Sequence, residues 1–456
     1  MKSIGAAIVD NAETAAGLGR SSKTERPRFS RRALVAGAAG NLIEFYDSAI
    51  YTLLAPVFSQ QFFPTGNRAI ALLYTYGIVV GVSFVVRPLA SMLLSPYGDR
   101  HGRGRLLSRT LFIMGSGLLL IGLTPTYQTI GWVAPVLLIV GRGMQNVSQA
   151  GEFQAAAAFL VEHAPPKHRA TTGSLQYVSS ALGILSATLV ASLVTSLFPK
   201  DVLNAWGWRV PFVVGAGLCL FGTYLRRRAP ESPLFTKLAT AGRIVRKPVR
   251  SAIRTHGSGL FFVAALQLSQ VTFYVWQVFL PTYASLVAKF PLGTALPLSA
   301  VALAAFIVAL PLVGMLSDRL TGRKPLIVLE AACFAVFAYP ALSLLQQPTP
   351  GRYLLVAVVG NLLLALTYAN VSALYCELFP TGVRASGVGV AYNLAITIFG
   401  GSTPIVATST IAAHHNLALG YYIMVLEGIA ALVFLFLLPE TRGRDLDEVS
   451  VTAPGG

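Results

Sequence analysis

The feature that most constrains this chain is a series of apolar runs, each about as long as a membrane is thick. They lie at roughly 34–58, 70–95, 109–125, 131–160, 171–198, 209–225, 258–286, 295–316, 325–345, 353–378, 385–411 and 419–438. A helix rises about 1.5 Å per residue, so about 20 residues cross a hydrocarbon core of about 30 Å. Across the 456 residues, 54% are apolar and only 12% are charged, against about 25% charged in a soluble domain. The pattern excludes a single soluble enzyme and a peripheral protein with one anchor. It predicts an all-α integral membrane protein of twelve spans. An even number of spans puts both ends on one side. Gly and Pro break most of the runs, which membrane helices tolerate when neighbours satisfy the freed backbone.

The net charge of +17 would point a soluble chain toward nucleic acid. Its distribution argues otherwise. With the N-terminus in the cytoplasm, 28 of the 35 Lys and Arg fall in inside segments. Four fall outside: Arg68, Lys200, Lys289 and Arg352. Arg87, Arg142 and Arg209 lie within spans or at their ends. This is a strong positive-inside bias. It orients both termini to the cytoplasm and accounts for the basic charge with no nucleic-acid partner. Residues 1–33 read as a polar cytoplasmic tail with seven Lys/Arg, and no cleaved signal peptide is expected. Residues 34–225 and 258–438 read as two six-helix bundles. The basic stretch 226–257 is a cytoplasmic linker and 439–456 a short tail. The linker's charges read as solvated topology charge, and anionic lipid headgroups are their other chemical partner. Cys219, Cys333 and Cys376 each sit in an apolar run without CxxC or metal spacing, so no disulfide and no metal site is expected.

The two halves repeat one another. Gly98-Asp99-Arg100-His101-Gly102-Arg103 follows the second run, and Ser317-Asp318-Arg319-Leu320-Thr321-Gly322-Arg323 follows the eighth. Glu162-x-x-Pro165-x-x-x-Arg169 follows the fourth, and Glu377-x-x-Pro380-x-x-x-Arg384 follows the tenth. Tyr177 and Tyr392 stand at the same offset as this second pair. Parallel six-span halves facing one another across a cavity suit alternating access, with the substrate near mid-membrane.

The chain resembles the major facilitator superfamily, and within it the metabolite:proton symporters. The likeness covers about 33–448. It rests on GNLIEFYDSAIY at 40–51, FVVRPLASMLLSPYGDRHGRGR at 84–105 and GRGMQNVSQAGEFQAAAAFLVEHAP at 141–165. WGWRVPF at 206–212, RRRAPESPLF at 226–235, CELFPTGVRASGVGVAYNLAITIFGGSTP at 376–404 and PETRGR at 439–444 add to it. The resemblance implies two six-helix halves related by a pseudo-two-fold axis. It also implies proton-driven carriage of organic acids (citrate, tricarballylate, α-ketoglutarate, shikimate) or of betaine and proline. TPTYQTIGWVAPVLLIVGR at 124–142, VTFYVWQVFLPTYASLV in the seventh span and FGGSTPIVATS at 399–409 look most like citrate-type and α-ketoglutarate-type carriers. Two departures stand out. Asn146 and Gln149 replace usual glycines in the fourth span, and Ser95-Pro96-Tyr97 replaces a usual opening glycine in the first loop.

Ionisable groups inside a membrane cost about 2.5–3.5 kcal/mol each on translocon scales and mark function by default. Glu44 and Asp47 are three apart in the first span and share a face. Arg87 and Arg142 lie at similar depth in the second and fourth spans. Asp47, with Glu44, is the candidate proton carrier and Arg142 its charge partner. An arginine moved onto an anionic substrate would leave the acid free to take a proton. Arg87 and Arg142 suit a carboxylate through the bidentate guanidinium fork. The alternative for all four is a structural ion-pair network. Further candidate substrate contacts are Tyr46, Gln145, Gln267, Tyr274, Gln277, Asn370, Tyr392 and Asn393, with Gln270 and Asn361 also positioned to face the cavity. Glu330 and Glu427 read as polar packing.

By the resemblance, Asp99, Arg100, Gly102 and Arg103, and Asp318, Arg319, Gly322 and Arg323, form charge latches that hold an outward-facing state. Gly102 and Gly322 would permit a tight turn. Glu162 with Arg169 and Glu377 with Arg384 look like parallel latches, and Glu152 like a brace beside them. No nucleophile arrangement, phosphate loop or dinucleotide glycines occur, so no enzyme, cofactor or ATP-driven pump is expected. The reading is a monomeric cytoplasmic-membrane carrier importing a small organic acid with protons among membrane lipids. Zwitterionic osmolyte or shikimate-type uptake is the alternative. A transporter-like metabolite sensor is the reading from a different class, and no signalling domain supports it.

Overall fold

A computed structural model describes residues 31–101, 103–150, 160–161, 164–227, 253–254, 256–320, 322–379 and 384–444. Among the described residues there is no strand. Twelve long helices form the body. The first six are α1 (Arg31–Phe62), α2 (Arg68–His101), α3 (Arg103–Leu123), α4 (Val133–Gln149), α5 (Arg169–Leu197) and α6 (Val210–Arg227). The second six are α7 (Gly257–Ala288), α8 (Leu292–Arg319), α9 (Lys324–Leu344), α10 (Pro350–Leu378), α11 (Gly387–Ala412) and α12 (Ala418–Phe436). Among the described residues, α5 and α7 to α12 are long and apolar enough to cross a membrane. Their outward faces carry bare apolar side chains such as Val336 and Phe436, 71% and 73% exposed. In water such surfaces would aggregate, and in lipid they are solvated.

Within the first half, α1 packs on α5 and α6, and α3 lies between α4 and α6. Within the second, α9 packs on α12 and α10, α8 on α10, and α7 on α11. The halves meet chiefly through α5 with α8 and α2 with α11. Advancing each helix by six converts one of these contacts into the other, as a two-fold relation between repeats demands. Small residues make the close approaches. A Cβ on Gly314 of α8 would come within 2.9 Å of the Thr171 Cα in α5. Gly183 of α5 lies directly against the α1 backbone at Leu42.

Two helices are interrupted in ways the apolar runs do not reveal. In α7, the N–H groups of Gln267, Leu268 and Gln270 reach only three residues back. The same helix carries a π-turn at Val275–Phe279, and α11 carries one at Thr397–Gly401. Each π-turn contains the residue four before a proline, Pro281 and Pro404. A proline ring clashes with that carbonyl and supplies no N–H, so the helix widens there.

α1 begins and α12 ends on the same face, termed the terminal face below. Contacts between the halves close it, through α5 and α8. They also close the opposite face, where Thr52 of α1 meets Tyr274 of α7 at 2.5 Å. There Tyr76 of α2 packs edge-on to Phe279 with ring centres 6.1 Å apart.

Candidate functional site

A stripe of polar side chains lines one face of α4 at Arg142, Gln145, Asn146 and Gln149. The spacing of three, four and seven residues puts them on one side of a helix. All four are buried. They meet Asp47 of α1 and Arg87 of α2 inside the first half. Gln149 Nε2 donates to Asp47 Oδ2 at 3.2 Å and to Ser48 Oγ at 3.1 Å. Its Oε1 accepts from Arg87 Nη2. Arg87 Nε donates to Asn146 Oδ1 at 2.9 Å, and Asn146 Nδ2 to the Arg142 carbonyl at 2.9 Å. The two amides therefore join Arg87, Asp47 and Arg142 into one network. Glu44 and Tyr392 of α11 lie within electrostatic reach of Arg87.

Arg142 is held loosely against Asp47. Nη1 stands 3.9 Å from Asp47 Oδ2, beyond hydrogen-bond length. The same Nη1 donates to Gln145 Oε1 at 2.6 Å, and the guanidinium lies 4.4 Å over the Tyr51 ring. Among the described residues, Arg142 Nε, Asp47 Oδ1 and Gln145 Nε2 are buried without hydrogen-bond partners. Buried polar atoms are normally satisfied. Three that lack partners gather at one locus among the described residues.

Tyr46 does not face this cluster. Adjacent helical residues point about 100° apart, and the Tyr46 hydroxyl donates to the Pro211 carbonyl of α6 at 2.8 Å. Several C-half candidates are tied up within their own half. Gln267 donates to Tyr375 Oη at 2.7 Å and Gln277 to Asn361 Oδ1 at 2.7 Å. Asn370 accepts from Ser317 Oγ at 2.5 Å. Tyr274 and Asn393 do reach the first half, Tyr274 at Thr52 and Asn393 at the Ala150 carbonyl, 3.4 Å away. Sequence reasoning passed over Asn146 and Gln149 as ligands and read them only as altered helix contacts. The polar stripe at 142, 145, 146 and 149 was the available signal.

The terminal face carries a second set of charges. Asp318, at the end of α8, accepts from the Ala170 N–H at 3.0 Å, the Thr171 N–H at 2.9 Å and the Thr171 hydroxyl at 2.7 Å. It thus caps the first turn of α5 in the other half. Arg323 holds Glu377 with two bonds of 2.8 Å. Arg169 of α5 stands 3.8 Å from the same Glu377 and donates to the Arg444 carbonyl at 2.6 Å. Among the described residues the charged partners of Glu377 are therefore Arg323 and Arg169, and Thr441 Oγ1 also donates to it at 2.7 Å. Gly322 has no left-handed φ, so it serves close approach and not a turn. A Cβ there would collide with the Glu440 carboxylate. Partial burial pushes that carboxyl up, but backbone N–H groups of Arg323, Arg442, Lys324 and Thr441 outweigh it and hold it below the usual range. Arg319 is exposed. Gly102, Glu152 and Glu162 lie outside the described residues, as do the side chains of Asp99, Arg100, Arg103 and Arg384.

Among the described residues no cluster of His, Cys, Asp and Glu could hold a metal ion. An apolar cavity of about 530 Å³ lies between α2, α4 and α11, lined by Tyr74, Ile139 and Ile405 among others. It has none of the charged groups described above.

A family model described as Major Facilitator Superfamily matches residues 37–404. The chain belongs to the major facilitator superfamily. It is 34% identical over 426 residues to the inner membrane metabolite transport protein YhjE of Escherichia coli K12, covering 91% of this chain and 95% of that protein. It is 31% identical over 415 residues to the alpha-ketoglutarate permease of the same organism, with coverage of 91% and 95%. A putative proline/betaine transporter of Staphylococcus aureus COL is 30% identical over 426 residues, with coverage of 91% and 90%. The solved xylose transporter XylE of E. coli superposes with a TM-score of 0.71 at 20% identity, covering 91% of this chain and 99% of that one. That likeness carries the fold. As a member of this superfamily the protein is a membrane transporter of small molecules and not an enzyme.

Proposed function

We propose that the protein is a proton-coupled symporter that imports a small organic acid, of the di- or tricarboxylate kind, by alternating access. The observation that carries this reading is the loose Asp47–Arg142 pair at 3.9 Å. Gln149 ties Asp47 on one side, and orphaned polar atoms lie on both partners. A proton on Asp47 cancels the charge that Arg142 answers. The guanidinium is then free to take a substrate carboxylate through its planar fork. The proton thus offsets one negative charge of the acid, which lowers the cost of carrying it through a low-dielectric interior. Arg87, which donates hydrogen bonds to the neutral amides of Asn146 and Gln149, is the second cation available to a polyvalent acid. Glu44 adjusts the charge around it. Tyr274, Tyr392 and Asn393 are the C-half groups within reach of the bound acid. The basic bias of the sequence supports an inner-membrane protein with the terminal face toward the cytoplasm.

The relative named for proline and betaine favours a second reading. In it the carboxylate of a zwitterion meets Arg142, and its cation meets a carboxylate of α1. The test is proton movement. Lightly buffered, de-energised cells expressing the protein receive citrate, tricarballylate, α-ketoglutarate, shikimate, proline and betaine in turn. Alkalinisation of the medium with an acid supports the first reading, and with proline or betaine alone the second. Silence with all six refutes proton coupling to these substrates. Asp47→Asn is expected to abolish uphill accumulation while leaving substrate exchange. Arg142→Gln is expected to abolish carboxylate binding.

A further inference from the structure

The second half holds a polar locus of its own. Glu330 of α9 and Glu427 of α12 are both fully buried, on helices that pack against each other. Each carboxyl lies within the other's electrostatic reach. At about 1.5 Å per residue, Glu330 sits about 9 Å and Glu427 about 14 Å from the terminal-face ends of their helices. The pair therefore lies well inside the membrane span.

The two carboxyls are not equivalent. Glu427 Oε2 accepts from Ser269 Oγ at 2.8 Å, and its Oε1 accepts from Thr272 Oγ1. Glu330 Oε2 accepts from Thr367 Oγ1 at 3.0 Å. Its Oε1 is buried with no hydrogen-bond partner among the described residues. The other titratable groups facing the pair are Tyr368 of α10 and Cys333 of α9. None of the six apolar runs of this half contains a Lys, Arg or His. Two carboxylates in a dry interior with no cation cannot both stay ionised, because the desolvation of each and their mutual repulsion add. A single proton removes one charge and turns an orphaned acceptor into a donor.

We propose that Glu330 and Glu427 form a proton-binding site, with the proton on Glu330 and Glu427 as its ionised partner. The donor pattern assigns the roles. Two hydroxyls on both oxygens stabilise the charge of Glu427, whereas the free Oε1 of Glu330 is where a proton has room. The site stands behind the interruption of α7. Ser269 lies in that interruption, and Thr272 one turn on, two residues before Tyr274, which bridges to α1. The Tyr368 hydroxyl also donates to the Ser269 carbonyl at 3.3 Å, while its ring packs edge-on to Tyr177 of α5 at 4.9 Å. The ionised Glu427 thereby braces the helix that links the two halves. This site is separate from Asp47 and independent of the substrate's identity.

Infrared spectroscopy of the purified full-length protein tests it. Near neutral pH, the carbonyl band of a protonated carboxyl is expected, shifting in heavy water. A component of that band should vanish in Glu330→Gln, persist in Glu427→Gln, where Glu330 stays buried and neutral, and persist in Asp47→Asn. A band unchanged by Glu330→Gln overturns the proposal. So does a band lost in Asp47→Asn alone, which would put the proton in the first half. Wild-type protein provides an independent measure. Dicyclohexylcarbodiimide adds only to protonated carboxyls, and mass spectrometry should find the adduct on Glu330 at neutral pH. An unlabelled Glu330 refutes the assignment even if the variants do not fold.

Discussion

The Asp318 cap on α5 makes the sharpest mechanical prediction. Its carboxylate accepts three hydrogen bonds from the first turn of a helix in the opposite half, and the side chain is only 6% exposed. Asp318→Asn keeps the shape, removes the charge and turns an amide NH₂ toward donors. Hydrogen bonds to charged groups contribute about 1.5–3 kcal/mol each, and the helix N-terminus adds about 0.3–1 kcal/mol. The neutral amide retains one acceptor, so the closed terminal face should lose about 3 kcal/mol, roughly a 150-fold shift in the open population. The assay is thiol accessibility. Ser372 of α10 is 1% exposed and lies 3.3 Å from where a Cβ on Gly173 of α5 would sit. With the native cysteines replaced by alanine, Ser372→Cys should react slowly with a water-soluble maleimide. Adding Asp318→Asn should raise the rate by about two decades, or until the open state saturates. An unchanged rate would refute the argument that this cap holds the face shut.

Three further outcomes follow from the same geometry. Gly314→Val puts a branched side chain against the Thr171 backbone. It should raise Ser372→Cys labelling to a similar degree, whereas a change on the lipid-facing Val336 should not. Replacing Gln149 with Gly removes one bond to Arg87 and one to Asp47. At about 1.5–3 kcal/mol per charged bond, KM in transport assays should rise about a hundredfold or more. Glu440 is held below the usual carboxylate range, so its bonds to the α8–α9 connection are present above that range. They are lost as pH falls through the lowered value, and proteolysis after Arg442 should accelerate only under strongly acid conditions. In Glu440→Gln this acid-dependent step should be absent.

Much of the architecture was legible because membrane burial leaves few choices. Apolar runs of span length, basic inside segments and the repeat linking Asp99 to Asp318 together lead to two six-helix halves. The buried charges were equally visible, since Asp47, Arg87 and Arg142 stand out against their apolar surroundings. Neutral groups carry no such cost and hide in plain sight. Asn146 and Gln149 look like weak substitutions for glycine, yet they knit the charged cluster together. Facing is the other blind spot. Tyr46 sits beside Asp47 in the chain but turns onto α6, and Gln277 turns onto α10. The pairing of Arg169 with Glu377 joins residues from different halves, which a search within each repeat does not reach. The π-turn of α7 follows from Pro281, and the break at Gln267–Gln270 lies against the Glu427 carboxylate of α12, neither of which the apolar run 258–286 displays.

The two gates differ in kind, and that difference bears on the direction of transport. The terminal face is closed by charge: Asp318 on the start of α5, and Arg169 on Glu377 and on the carbonyl of Arg444. Among the described residues, the opposite face is closed by the hydroxyl pair of Thr52 with Tyr274 and by aromatic and apolar contact such as Tyr76 with Phe279. Neutral hydroxyl pairs contribute about 0.5–1.5 kcal/mol, and edge-on aromatic pairs about the same. The charged set exceeds this several-fold on the figures used for Asp318. With Asp47 and Arg142 unfilled, the opposite face is the cheaper one to open, so the resting protein should present its site there. In the proposed orientation that side is the periplasm, which is where a symporter driven by inward proton flow must first meet both proton and acid. On the proposed function, binding of proton and acid then has one task left, to draw the halves together at the opposite face strongly enough that the charged gate yields. On the proposed function, the interactions that make this difference are those of the bound acid with Tyr274, Tyr392 and Asn393. Removing them should therefore slow net uptake more than it weakens binding.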